Sequence, residues 1–245
     1  MTTPRRDFLN MLGVGGLSAG TGPLNLSGID GGGDPYVKSD KWDMSWIKRV
    51  HGKGRAVFDM VTTEGSGGWG RVTMWRDQAL EVYGGPKEVT AVAVIRHGAI
   101  RLAMSDAYWT EFPPSAGRGR GAAPADTTSR PATPPPPPPP SRNPIAVAKA
   151  GASAQEKTES LEGFLAGGGI VLACNVAFSF GPRGAVARAR GLTGEAGIAE
   201  ADKIARGLLV PGVILMPSGV FALIAAQQAG CGMLGAAVPS MTGSS

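Results

Sequence analysis

The sequence predicts an α/β fold, a three-layer sandwich in which helices cover a mainly parallel sheet of about five strands. Short apolar runs alternate with helix-spaced stretches from residue 56 to residue 234. Residues 89–95, Val-Thr-Ala-Val-Ala-Val-Ile, are apolar almost without a break, the pattern of a strand buried on both faces of a parallel sheet. No fixed period repeats along the chain, so a solenoid is not expected.

The elements follow in order. Trp42-Asp-Met-Ser-Trp46-Ile47 sets two aromatics four apart, on one face of a short helix packed against the domain. Residues 56–61 form the first strand, Gly65, Gly67, Gly68 and Gly70 a loop, and residues 74–83 a helix that Gly84-Gly85-Pro86 stops. The strand at 89–95 ends in Arg96-His97-Gly98, and a helix over 100–112 follows, with Leu102, Ala103, Ala107 and Tyr108 able to share a face. A helix over 152–166 is terminated by Gly167-Gly168-Gly169 and leads into a strand at 170–174. Residues 181–197 read as a loop rich in glycine and arginine, 198–206 as a helix and 213–216 as a strand. Pro217-Ser218-Gly219 turns the chain into a helix over 220–229, and a short strand at 231–234 completes the sheet.

The single domain is expected over residues 41–235. Ahead of it, Pro4-Arg5-Arg6-Asp7-Phe8-Leu9 and a glycine-diluted apolar run to Ala19 have the arrangement of a twin-arginine export signal, assigned to residues 1–23. That route carries folded proteins, so the expected location is the periplasm. Residues 24–40 read as a flexible spacer and 236–245 as a flexible tail. Residues 113–144 contain an unbroken proline run at 134–140 and almost no apolar side chains. They cannot bury enough surface to offset their ordering entropy, and are expected to be a disordered insertion favouring polyproline II. The uncharged run 208–227 is interrupted by Pro211 and Pro217, and residues 8–19 are too few to cross a bilayer. A membrane is expected to be met only through a signal left uncut, since no Ala-x-Ala site follows the apolar run.

With 245 residues, 42% of them hydrophobic, and a formal charge of +5, the chain has enough apolar material for one packed core. Basic patches interleaved with aromatics are absent, so nucleic acid is not an expected partner. Two cysteines allow one disulfide and no disulfide framework. Two distant histidines, without Cys-x-x-Cys or His-x-x-x-His, give no metal-site spacing. Residues 65–70 lack both the Gly-Lys-Ser/Thr ending of a phosphate loop and the dinucleotide fingerprint, and no Gly-x-Ser-x-Gly elbow occurs, so no cofactor is expected.

Ligands of open α/β sheets bind beyond the carboxyl ends of the strands, where strand order reverses. That places Thr63 and Glu64 after the first strand, His97 after the second, Cys174 and Asn175 after the third and Ser218 after the fourth. Cys174 is the candidate nucleophile, with Arg183, Arg188 and Arg190 in the following loop as sources of positive charge. The plainer alternative is a small hydrophobe at a strand end. His97 is a candidate proton donor, acceptor or ligand-orienting group, or else a structural histidine bonded to loop backbone. Thr63, Glu64, Asn175 and Ser218 are candidate ligand-binding groups. Cys231, between glycines, reads as inert packing and His51 as a surface residue.

The order of several pieces resembles the DsrE/DsrF-like family, small α/β proteins with a flavodoxin-like sheet. They are Arg55-Ala-Val-Phe-Asp59, Val92-Ala-Val-Ile-Arg-His97-Gly98, Gly169-Ile-Val-Leu-Ala-Cys174-Asn175, Leu209-Val-Pro-Gly-Val213, Pro217-Ser-Gly-Val220 and Gln227-Gln228-Ala-Gly230. Trp42-Asp-Met-Ser-Trp46 with the twin-arginine start resembles an exported branch of that family whose function is unknown. The resemblance implies sulfur relay, with Cys174 in the place of a persulfide-carrying cysteine. The departure is the stretch from Asn175 to Phe180, which lacks the compact arginine-rich turn of sulfur-relaying members. Two functions are therefore expected as alternatives. One is a subunit that binds a small ligand or a partner without strong catalytic machinery. The other is a periplasmic sulfur carrier using Cys174. The partners implied are a small-molecule or sulfur ligand and a protein partner or second copy of the chain.

Overall fold

In the computed structural model, described residues are 40–63, 66, 68–114, 140–146 and 151–235. The expected export signal, most of the spacer, Glu64, residues 115–139 of the insertion and the tail lie outside them. The five apolar runs form strands β1 (Gly54–Met60), β2 (Val89–Ile95), β3 (Ile170–Cys174), β4 (Ile214–Met216) and β5 (Gly232–Gly235). They lie in the order β4-β3-β2-β1-β5, and every neighbouring pair is parallel. Gly54 stands beside Val89 and Met60 beside Ile95, while Val92 faces Ile170, Leu172 faces Ile214 and Ala56 faces Gly232. All seven residues of β2 and all five of β3 are buried, as continuous apolar runs in a parallel sheet require.

The two-residue period of a strand splits these side chains between two cores. Phe58, Met60, Ala93, Ile95 and Ala173 point to the first face, and Val57, Val92, Val94, Leu172 and Met216 to the second. On the first face lie α1 (Trp69–Tyr83), a 3-10 turn (His97–Ala103), α2 (Asp106–Glu111) and the pair α3 (Ala154–Glu159) and α4 (Leu161–Ala166). The same face carries α5 (Asn175–Phe178), a π-helical turn (Ser179–Arg183), α6 (Gly184–Ala189) and α7 (Gly194–Gly207). On the second face lie α8 (Gly219–Gln228) and the 3-10 turn Ser45–Arg49, which seats Trp46 fully inside; Trp42 packs on the same cluster from just ahead of the turn. This is the expected three-layer sandwich. Among the described residues no helix is long and apolar enough to cross a membrane.

Two expected helices and one expected loop differ from the sequence reading, each for a physical reason. The expected 152–166 helix is two, because Ser160 is extended and its side chain accepts the Gly163 N–H at 3.1 Å, so it caps a new helix instead of continuing the old one. Gly163 is required there, since a Cβ would lie 2.0 Å from the Lys157 carbonyl oxygen. The expected 100–112 helix is interrupted at Met104 and Ser105. The Ser105 N–H donates to Leu208 and the Val210 N–H to Ala103, so that backbone pairs with a distant segment. The expected loop at 181–197 is largely helix, with helical backbone unbroken from α5 through the π turn into α6. Gly181 serves packing, since a Cβ there would stand 3.2 Å from the Ile100 side chain, while Gly191 and Gly194 take left-handed backbone at φ 62° and 68°.

The insertion is also narrower than the expected 113–144. Asn143 is only 5% exposed, and its amide donates to the Leu102 and Met104 carbonyls at 2.9 and 2.6 Å while accepting the Ile145 N–H at 3.1 Å. Beside it, Asp106 of α2 accepts the Asn143 N–H and pairs with Arg142 at 2.7 Å. Thr110 of α2 donates to the Ser141 carbonyl at 3.3 Å. The returning chain is thus stapled to the helix from which the outgoing chain departs. Asn143→Leu keeps the bulk but leaves buried backbone groups unpaired. It is expected to cost about 1–3 kcal/mol of stability, read as a lower urea midpoint with an unchanged denaturant slope.

Candidate functional site

Strands β1 to β4 advance one way across the sheet, and their connecting helices lie on the first face. β5 lies on the far side of β1, and the α8 connection crosses the second face. A right-handed crossover that reverses direction has to change faces. The chain leaving β3 therefore parts from the chain leaving β4, and a cleft of about 570 Å³ opens at their carboxyl ends.

Its polar end is built on one ion pair. Arg96, just past β2, holds Asp59 of β1 through two parallel contacts, Nε to Oδ1 and Nη2 to Oδ2, both 2.6 Å. Both side chains are largely buried, and the hydrogen bond to Asp59, against the pull of desolvation, holds the Arg96 guanidinium above its ordinary value. The third nitrogen, Nη1, contacts Nε2 of His97. α8 begins directly against this arginine: a Cβ at Gly219 would fall 2.6 Å from Cδ and 2.7 Å from Cβ of Arg96. His97 itself sits in left-handed backbone, φ 50°, within a turn closed by the Ala99 N–H to the Arg96 carbonyl. That conformation costs a non-glycine residue about 1–2 kcal/mol, and it sets the exposed ring beside Arg96 at the cleft.

Cys174 ends β3 and lines the cleft floor, 7% exposed. Its sulfur accepts the Ala177 N–H at 3.4 Å, which makes it the cap of the helical run that begins at α5. Ser218 does the same for α8, its oxygen accepting the Phe221 N–H at 3.1 Å. Two helix starts, with their partial positive charge, thus converge on one cleft. The wall is apolar, formed by Ile100, Val176, Ala177, Phe180 and Val220, and Phe180 on the π turn is 81% exposed. Arg101 also lines the cleft.

Of the residues expected from sequence, the fold brings Cys174, His97 and Ser218 together around this cleft. Thr63 and Asn175 do not line it. The Asn175 side chain accepts from Arg206 at 3.4 Å in a separate depression with Trp42, Arg183 and Asp202. Glu64 lies outside the described residues. The expected cations are engaged elsewhere: Arg183 pairs with Asp202 at 3.7 Å and Arg190 with Glu111, and Arg188 lies on α6 and does not line the cleft. Helical backbone after Cys174 carries them away, where a loop was expected to fold them back. Among the described residues, the arginines that line the cleft are Arg96 and Arg101. The signal for the first was in the sequence: Asp59 is a lone carboxylate inside an apolar strand and needs a partner.

Among the described residues no group of three or more His, Cys, Asp or Glu side chains is placed to hold a metal ion. Both cysteines are free thiols. Comparison with protein-family models, with curated proteins and with solved structures gives no match.

The second cysteine lies at the opposite end of the sheet, ahead of β5, 5% exposed, and burial pushes its thiol up to about 11 while Arg55 draws it down by less. Because the folded chain then holds a proton that the unfolded chain releases near pH 9, stability is expected to fall as pH rises from about 9 to about 11. Melting temperatures of the wild type and Cys231→Ala, compared at pH 8 and pH 10.5, check this: the variant is expected to lose less stability over that interval.

Proposed function

We propose that the chain is an exported small-ligand-binding protein whose site is the cleft between the ends of β3 and β4. The observation that carries this reading is the cleft itself. It stands where the strand order reverses, and it combines an apolar wall with a few converging polar groups, Arg96, His97, Cys174 and Ser218. Export is supported by Arg5-Arg6 ahead of a short apolar run. Kinship with the DsrE/DsrF-like family, through its exported branch, is supported by the order of motifs and by the strand-end position of Cys174. Of the two alternatives, binding without strong catalytic machinery has the broader support, because among the described residues no carboxylate lines the cleft and the histidine that does, His97, rests against Arg96.

One observation favours the sulfur-carrier alternative. The Cys174 sulfur is at the cleft, receives a backbone N–H and lies within reach of the Arg96 charge. As a carrier, its thiolate would attack the outer sulfur of a donor persulfide. The donor would leave as its thiolate, with no oxidant consumed.

Both readings are tested on the full chain. A panel of small apolar and amphiphilic fragments is expected to shift amide resonances around Cys174 and Ser218. Val220→Trp, which narrows the cleft from its exposed rim, is expected to abolish those shifts, and Cys174→Ser to leave them within about twofold in affinity. Shifts scattered over the surface, or indifferent to Val220→Trp, would sink the binding reading. Incubation with a persulfide donor followed by intact mass decides the carrier: one added sulfur on the wild type and none on Cys174→Ser supports it, and an unmodified wild type excludes it.

A further inference from the structure

We infer that the cleft takes a small acid with an apolar body, its carboxylate at the arginine end and its body along Ile100, Phe180 and Val220. This rests on the reading of the cleft as a ligand site and adds the class of ligand.

The head group follows from charge. No carboxylate lines the cleft among the described residues, and Asp59, which reaches Arg96 from behind, neutralises that arginine. Arg101 has no such partner: among the described residues no carboxylate forms an ion pair with it. Its Nη1 donates to the Tyr108 hydroxyl at 3.3 Å and its Nη2 to the Phe112 carbonyl at 2.5 Å. The guanidinium lies 5.0 Å from the Tyr108 ring centre and 4.8 Å from that of Trp109, and its Nε is buried without a hydrogen-bond partner. Ring faces and neutral oxygens return only part of what a guanidinium loses on leaving water. The helix starts at Cys174 and Ser218 add positive potential to the same cleft. The cleft therefore carries one uncompensated positive charge, which a single anionic group would offset.

The body follows from the wall. Phe180, Val176 and Val220 each expose about half or more of their surface around the mouth, and Ile100 lies within. A polyanion such as a nucleotide would meet only one unpaired cation and would lay its other charges against this apolar surface, so a monoanion with an apolar tail is the better complement.

Octanoate, octan-1-ol and octylamine, titrated separately into the full chain and followed by amide shifts around Cys174, test this. Octanoate is expected to bind at least about tenfold more tightly than octan-1-ol, with added salt weakening the acid and sparing the alcohol, and octylamine is expected not to bind. Phe180→Ala is expected to weaken acid and alcohol by the same factor, and Arg101→Gln to bring the acid down to the alcohol. Should Arg101→Gln fail to fold, the head-group and salt comparisons on the unaltered chain decide alone. Equal binding of acid and alcohol, tighter binding of the amine, or no binding of octanoate overturns the inference. If acid and alcohol bind equally and Val220→Trp abolishes both, the cleft remains a ligand site and only the acid preference is lost.

Discussion

A right-handed crossover between parallel strands can reverse direction only by changing faces, and the rest of this structure hangs on that constraint. Four strands step one way with their helices on one face, and the fifth returns past the first by way of α8 on the other. The ends of β3 and β4 must then separate. Everything chemical gathers in the gap: the cysteine that closes β3, the serine that opens α8 and the arginine that ends β2. The glycine at the first position of α8 lets the helix start against the Arg96 stem.

The ion pair of Asp59 and Arg96 ties the ends of β1 and β2 together at this opening. Two parallel hydrogen bonds fix the guanidinium plane, leaving Nη1 for His97. The left-handed backbone at His97 is what turns the chain sharply enough for the 3-10 turn to fold back over the sheet edge, and backbone bonds from Arg96 to Met60 and from Ala99 to Val61 hold it there. Local strain is thus tolerated because neighbouring strands over-determine the turn. In the same cleft lining, Arg101 is kept by ring faces, a hydroxyl and a carbonyl instead of a carboxylate, and this gives the cleft an unequal charge.

Sheet and layers were legible because they follow from period and hydrophobicity. The runs at 89–95 and 170–174 match β2 and β3 residue for residue, and the strands at 56–61, 213–216 and 231–234 lie within two residues of theirs. Helix limits were less legible where a long-range contact outweighed local preference. Leu208 and Val210 draw Met104 out of a helix, and Gly181 and Gly184 read as loop residues although they are the small residues of a packed helix. Asn143 read as part of a proline-rich insertion because its three buried partners, Leu102, Met104 and Ile145, meet it only in the fold.

Strand-end positions of His97, Cys174 and Ser218 were set by the sequence alone, since any residue just past a parallel strand emerges on the same edge of the sheet. Which of those residues share a cleft was decided by tertiary structure. Strand order selects the ends of β2, β3 and β4 together, while Thr63 falls outside and the Asn175 side chain turns to Arg206. The charge of the site was settled at the same level. The arginines near Cys174 in sequence are carried off by a helix to Asp202 and Glu111, and Arg96 and Arg101 take their place. Electrostatic partners are chosen by distance in space, which no local pattern of residues encodes.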